Sequence, residues 1–305
     1  MDLPELSVRS QLLDAGFTDD EVRRLVRAGR LTPLRRGVYV EGSVPDDVLA
    51  KHVLQVEAAL GQLADDAVVS HVSAAVLHGL RIWGIPLDRV HVTRSRRNGG
   101  RCGALVHVHT APLDPAEIVT IGGRPVTSLA RTIADLARSL PFERAVVLAD
   151  AAMFHKRTDR LERAGLVEAL ARAPRWPGSP AARRVVAFAN GLSESVGESR
   201  SRVALAAGLA LPELQWEVRA RDTGEFIGRV DFGWPGVRTV GEFDGLVKYG
   251  RTLRPDQDPV EVLVAEKLRE DALRAEDLGV ARWIWSDLNR FAPVAARIRS
   301  HFRPT

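Results

Sequence analysis

Between residues 173 and 180 the chain reads Ala173-Pro174-Arg175-Trp176-Pro177-Gly178-Ser179-Pro180. Each proline removes a backbone donor and fixes φ, so neither a helix nor a central strand is expected to run through this stretch. The stretch therefore divides the fold, and it sets the main expected boundary, a linker over 173–189. A softer break falls at Glu41-Gly42-Ser43-Val44-Pro45. The expected domains are 1–42, 43–172 and 190–305. The chain has 305 residues, 45% of them hydrophobic and 27% charged. That excludes a disordered chain, a collagenous chain and a disulfide-stapled miniprotein.

Charge is unevenly shared. Residues 190–305 hold 17 basic and 18 acidic residues, so the formal excess of +4 belongs to the first 189. The cations are almost all arginine, with lysine only at 51, 156, 248 and 267. Codon usage in a GC-rich genome explains such a surplus, so arginine abundance by itself does not indicate nucleic acid, whereas the position of a lysine is informative. The single cysteine, Cys102, precludes an internal disulfide and suits a reducing cytosol. The start, Met1-Asp2-Leu3-Pro4-Glu5, lacks an apolar signal core, and no run of about 18 apolar residues occurs. A cytoplasmic protein with no membrane partner is expected.

Ser7 to Ala15 reads as a short helix stopped by Gly16. Thr18, with Glu21 three residues on, has the spacing of a capping box for a second helix that buries Val22, Leu25 and Val26 and stops at Gly29. Gly37 then lies between two β-prone runs and predicts a tight hairpin. The acid-free stretch 22–40 carries Arg23, Arg24, Arg27, Arg30, Arg35 and Arg36. Helix, turn, helix and basic hairpin is a winged helix-turn-helix layout, in which the second helix enters a major groove and the wing grips phosphate. The competing reading is a solvated arginine face on a small helical hairpin. The strings Val22-Arg23-Arg24-Leu25-Val26-Arg27-Ala28-Gly29-Arg30-Leu31 and Arg35-Arg36-Gly37-Val38-Tyr39 resemble the N-terminal domain of AbiEi-like antitoxins. The resemblance implies a winged-helix DNA-binding domain, although the chain is short ahead of the first helix.

The middle region alternates helical and strand patterns. Leu49, Val53, Val56 and Leu60 mark a helix over 47–63, and Ser70 is a candidate cap for a helix ending at Gly79. His71 and His78 lie two helical turns apart, about 10 Å, so capping or packed histidines are expected rather than a metal pair. Val90-His91-Val92-Thr93 and Ala104-Leu105-Val106-His107-Val108-His109 read as strands. His107 and His109 share a face, and the sequence supplies no obvious further zinc ligand. Ser70-His71-Val72-Ser73-Ala74-Ala75 and Thr127-Ser128-Leu129-Ala130-Arg131-Thr132-Ile133-Ala134-Asp135-Leu136 again resemble the AbiEi-like family, which implies kinship with toxin–antitoxin regulators.

In the last region Ser193 to Gly208 reads as a helix carrying Glu198. Two strands, 226–234 and 237–244, flank Pro235-Gly236. A two-residue loop at 235–236 or 236–237 sets Asp231 opposite Val240 or Glu242. In either register Asp231, Glu242 and Asp244 share one face, and Val230, Phe232 and Phe243 share the other. A divalent cation would relieve the repulsion among the acids, and a one-residue bulge would break the inference. Ion pairs on a solvated sheet edge are the alternative. Helix with Glu, hairpin with Asp then Glu, then helix and strand is the order of the PD-(D/E)XK nuclease core. Gly197-Glu198-Ser199-Arg200, Gly228-Arg229-Val230-Asp231-Phe232, Glu242-Phe243-Asp244-Gly245 and Glu266-Lys267-Leu268-Arg269-Glu270-Asp271 resemble its Vsr-like endonuclease branch. The resemblance implies Mg²⁺ or Mn²⁺ at Asp231 and Glu242 with Glu198 assisting, and the shared face adds Asp244 as a candidate ligand. Asp244 stands where that family has lysine, and Lys248 is the candidate substitute.

The expected class is thus α/β in the sense of an α+β multi-domain chain. It comprises a winged helix-turn-helix, a mixed middle domain and a restriction-endonuclease-like mixed sheet flanked by helices. The leading expectation is a metal-dependent DNA endonuclease guided by its N-terminal domain. The alternative is an antitoxin-type regulator with a degenerate nuclease core, acting on its own operator or with a toxin partner.

Overall fold

The computed structural model describes residues 5–96, 98–245 and 259–303. The fold is α+β and multi-domain. Two compact units comprise Met1–Leu140 with Ala164–Arg184, and Pro141–Arg163 with Val185–Thr305.

The first unit begins with β1 (Leu6–Val8), α1 (Arg9–Asp14), α2 (Asp19–Arg27), β2 (Leu31–Arg35) and β3 (Val38–Glu41). The residues expected to start a helix at Ser7 instead pair as β1 with β3, giving a three-stranded sheet in the order β1-β3-β2. The α2 capping box forms as its spacing requires: Thr18 Oγ1 accepts the Glu21 N–H, and Glu21 Oε2 accepts the Thr18 N–H at 2.8 Å. Gly37, at φ +75°, turns β2 into β3, a conformation that costs glycine nothing.

The same unit continues through α3 (Val48–Leu60), β4 (Ala67–Val69), α4 (His71–Leu77), β5 (Val90–Arg94), β6 (Arg101–Cys102), β7 (Val106–Thr110), β8 (Ile118–Ile121), β9 (Arg124–Thr127) and α5 (Leu129–Ser139). Among the described residues β4 to β9 form a six-stranded sheet in the order β6-β7-β5-β4-β9-β8. Its β5–β7 and β4–β9 pairs are parallel, and the others are antiparallel. Val56, Ala59, Val69, Ala74, Val90, Val92 and Val108 make its core. Leu49, expected to face inward from α3, is exposed, and Leu54 is buried instead. Ser70 occupies the cap position of α4 without capping it: its Oγ accepts from Thr93 Oγ1 at 2.8 Å and lies 3.0 Å from His71 Nδ1.

Three further helices follow: α6 (Phe142–Met153), α7 (Arg163–Ala171) and α8 (Ser179–Phe188). Here the expected linker is corrected. Residues 179–188 are helical, because Pro180 falls in the first turn, where a missing N–H leaves no bond unmade. The chain passes between units at 140–141, 163–164 and 184–185, not across one segment. Helix α6 belongs to the second unit, where Asp150 accepts both Arg202 Nη2 hydrogen bonds at 2.7–2.8 Å, the Ser199 hydroxyl and the Asn190 N–H.

The second unit adds α9 (Val196–Ala206), β10 (Glu213–Arg219), β11 (Phe226–Trp234), β12 (Thr239–Asp244), α10 (Pro259–Ala275), β13 (Gly279–Ile284) and α11 (Ala292–His301). The described strands form a sheet in the order β10-β11-β12-β13, with β13 parallel to β12 and the others antiparallel. Phe232 opposes Gly241, and the pairing of β11 with β12 stops there, one residue short of Asp231 and Glu242. The loop is a 3₁₀ turn over Pro235–Val237 followed by Arg238 at φ +50°, longer than the two residues expected.

The alternation of faces also differs from expectation. Leu214, Phe232 and Phe243 pack with Trp283 and Ile298, whereas Trp216 and Val230 pack with Val218, Val240 and Leu273. Residues two apart on β10 and on β11 thus lie on opposite sides of the sheet. The reversal falls at Gln215, at φ +55°, and at Asp231 across from it.

Candidate functional site

Four residues of the sheet-and-helix unit were singled out by their chemistry, together with Lys248, which lies outside the described residues. Glu198 sits in the first turn of α9, whose N-cap Ser195 accepts the Glu198 N–H at 3.1 Å. Gly197 lets that turn meet β12, since a Cβ there would overlap the Phe243 ring. The Glu198 side chain is buried, and its Oε2 accepts the Glu194 N–H at 2.8 Å and Gln215 Nε2 at 2.9 Å. The break in alternation at Gln215 is what aims that amide at Glu198. Asp231, at the matching break in β11, accepts the Phe243 N–H through Oδ2 at 2.9 Å.

Glu242 is buried and held by two guanidinium groups, Arg269 at 2.7 Å on Oε1 and Arg282 at 2.9 Å on Oε2. Arg282 reaches Glu270 as well, at 3.3 Å. Asp244 lies at the end of β12, paired in register with Ile284. Among the described residues, Glu198, Asp231, Glu242 and Asp244 form no group of three ligand atoms within 4.8 Å of one another. A Mg²⁺ or Mn²⁺ ion bound through Glu242 would have to displace Arg269 or Arg282. Both Glu242 oxygens carry arginine, and the hard cation wants carboxylate oxygens turned toward a common point. Gln215, Arg269 and Arg282 were not singled out from sequence. Their only signal was position, one on each strand beside an acid and one on the following helix.

Elsewhere in that unit Glu194 takes Lys156 at 2.9 Å and Arg229 at 3.1 Å. These cations hold its carboxyl below the usual range against the opposing effect of burial.

The arginines of the first 42 residues divide into two groups. Arg23 pairs with Asp20 at 2.7 Å and Arg24 with Glu21 at 3.7 Å, both one turn away on α2. Arg27 and Arg30, near the end of α2, and Arg36, at the hairpin tip, are exposed and make no ion pair among the described residues. Arg35 is half-buried beside the tip, and burial lowers its pKa.

A different cluster assembles in the six-stranded sheet. Strands β5 and β7 are parallel neighbours with His91 opposite His107 and Thr93 opposite His109. With the valines of both strands in the core, His91, His107 and His109 fall on the other face. His71 leaves β4 at φ +51° and stacks on His109 with ring centroids 3.7 Å apart, while His107 stacks on His109 at 3.9 Å. His109 Nε2 lies 3.0 Å from His91 Nδ1. One ring nitrogen from each of His71, His91 and His109 lies within 4.8 Å of the other two.

Burial, then the His107 ring, pushes His91 down to about 4. Burial, then His107 and His91, pushes His109 down to about 3. His71 is held well below the ordinary value by burial and by His109 and His91, and His107 is lowered by burial and by Arg89. The expectation of packed histidines without further partners is therefore incomplete. The signal available was the matching Val-His-Val pattern at 90–92 and 106–108. His78, as expected, stays out of the group, with Nε2 2.8 Å from the Thr127 carbonyl.

No family model matches the chain. It is similar to the uncharacterized proteins MT2308 and Rv2248 of two Mycobacterium tuberculosis strains, each 35% identical over 145 residues, which is 47% of this chain and 50% of the relative. The chain spans about half the length of the curated relatives it matches. Among solved structures it is similar to the crystal structure of the Rv2827c protein from M. tuberculosis. That likeness has a TM-score of 0.42 and 14% identity, and it covers 73% of this chain and 86% of the other.

Proposed function

We propose that this is a DNA-binding protein of the antitoxin-regulator type, cytoplasmic, acting on the operator of its own gene or together with a toxin. The observation that carries the reading is the set of exposed cations Arg27, Arg30 and Arg36, which make no ion pair among the described residues and lie at the end of the second helix, in the turn after it and at the hairpin tip of a strand–helix–turn–helix–hairpin module. Exposed guanidinium groups at a helix end and a hairpin tip suit phosphate contacts, and each such contact releases counterions. In this reading the nuclease-like module keeps its acids as structural members, with Glu242 answered by Arg269 and Arg282. The test is a mobility-shift titration of the full chain on DNA from upstream of its gene, at two salt concentrations. Affinity is expected to fall steeply with salt. Arg27→Ala with Arg30→Ala is expected to weaken binding and to lower the salt slope by about one for each phosphate no longer neutralised. Absence of binding to any DNA refutes the reading.

A second reading, a Mg²⁺- or Mn²⁺-dependent DNA endonuclease, is favoured by one observation. The order helix, three antiparallel strands, helix and parallel strand places Glu198, Asp231 and Glu242 on the first helix, the second strand and the third. Cutting would require Arg269 and Arg282 to release Glu242. Plasmid nicking with Mn²⁺ that disappears in Asp231→Asn and in Glu242→Gln would replace the first reading by this one. Equal nicking by all three proteins would remove the second.

A further inference from the structure

We propose that His71, His91 and His109 form a binding site for one divalent transition metal of the Zn²⁺ class, with a fourth position left open. The three ligands come from separate elements, the N-terminus of α4 and the neighbouring strands β5 and β7, and they converge without a carboxylate among them. An all-imidazole donor set suits Zn²⁺, Co²⁺, Ni²⁺ or Cu²⁺ and does not suit Mg²⁺ or Ca²⁺. A tetrahedral ion with Zn–N bonds of about 2.0–2.1 Å sets its ligand nitrogens about 3.3 Å apart. His91 and His109 already stand at 3.0 Å, and no pair exceeds 4.8 Å. The rings need close the widest gap by only about 1.5 Å to reach that geometry.

Aromatic packing explains the two stacked contacts, 3.7 and 3.9 Å, but it does not require ring nitrogens to face one another. One hydrogen bond can satisfy the His91–His109 pair, while a His71 ring nitrogen lies within 4.8 Å of both. The surroundings resemble those of a ligating histidine. Ser70 Oγ, 3.0 Å from His71 Nδ1, can accept the Nδ1 proton and leave Nε2 with its lone pair. Ser73 Oγ accepts the His91 N–H at 2.8 Å and fixes the start of β5 against α4. His107 stacks on His109 at 3.9 Å beside the three ligands. The histidines belong to the first unit and the carboxylates to the second, so the site stands whether or not the chain cuts DNA.

The test uses the full chain, free of any affinity tag, stripped with EDTA and titrated with Co²⁺ and then Zn²⁺. The expected result is one metal per chain, the intense visible bands of four-coordinate Co²⁺, their bleaching by Zn²⁺, and a raised thermal midpoint. His71→Gln, His91→Gln and His109→Gln should each weaken binding by at least about tenfold, while His155→Gln leaves it unchanged. The wild-type spectrum needs no variant to fold, and its lack of four-coordinate bands overturns the proposal. So does unaltered affinity in the three variants, or loss of the metal in His155→Gln.

Discussion

The two units treat converging polar side chains in opposite ways. Around β11 and β12 three of the four acids are answered from within the chain: Glu198 by a backbone N–H and Gln215, Asp231 by the Phe243 N–H, Glu242 by two arginines. Around β5 and β7 the histidines face mainly one another, lone pair toward lone pair or shared proton. The first arrangement commits its valences to holding the fold. The second gathers three ring nitrogens within 4.8 Å of one another, and buried polar groups so placed call for an explanation that packing does not supply. Residue type alone would have suggested the reverse, because the acids carry the nuclease-like spacing.

The comparison breaks most easily at Glu242. Glu242→Leu leaves Arg269 and Arg282 without their shared counterion. A loss of about 1–3 kcal/mol is expected, below the value for a fully buried pair because both arginines are partly exposed. Urea denaturation reads it, and an unchanged midpoint would show that the arginines do not hold this acid in solution. Next, Asp231→Ala should cost about 1–2 kcal/mol by orphaning the Phe243 N–H. Asp231→Asn keeps an acceptor oxygen and should cost less than half as much. Equal losses would mean that the hydrogen bond is not what Asp231 contributes.

The histidine side is sharpened by pH. His91 and His109 are lowered in the folded chain to about 4 and about 3, whereas the unfolded chain protonates near 6.5. The unfolded state therefore binds more protons below pH about 6.5, and metal-free stability should fall as pH drops from about 6.5 toward 4. His107 and Arg89 oppose His91 protonation and Asp88 favours it, so the fall is a property of the group. His91→Asn with His109→Gln should flatten the pH profile, and a profile as steep as wild type would place the titration elsewhere. The smallest effect belongs to Arg23→Ala. It removes an exposed pair with Asp20 and should change stability by less than about 0.5 kcal/mol. A larger loss would mean that α2 is held by more than its cap.

Much of the local structure was legible before any fold was known. The Thr18–Glu21 cap and the hairpin at Gly37 follow from capping and turn chemistry. What was not legible has physical causes. Gln215 adopts a left-handed backbone that its side chain does not announce, and with Asp231 it reverses which face each strand presents. Arg269 and Arg282 are ordinary surface types in sequence, and only tertiary contact makes them the partners of Glu242. His91 meets His107 and His109 because β5 and β7 pair in parallel, a choice set by the whole sheet. His71 reaches them because the chain turns sharply out of β4.

The interleaving of the two units also bears on how the chain is made. During synthesis the first unit lacks α7 and the beginning of α8 until residue 184 has emerged, and α6 waits for α9 before the buried Asp150 finds Arg202. Each unit must therefore hold an unfinished partner segment while the other is being translated. Cutting the gene at the proline-rich turn would strand α6 on the wrong fragment. Genetic separation of the two halves is accordingly better done with point substitutions than with truncations.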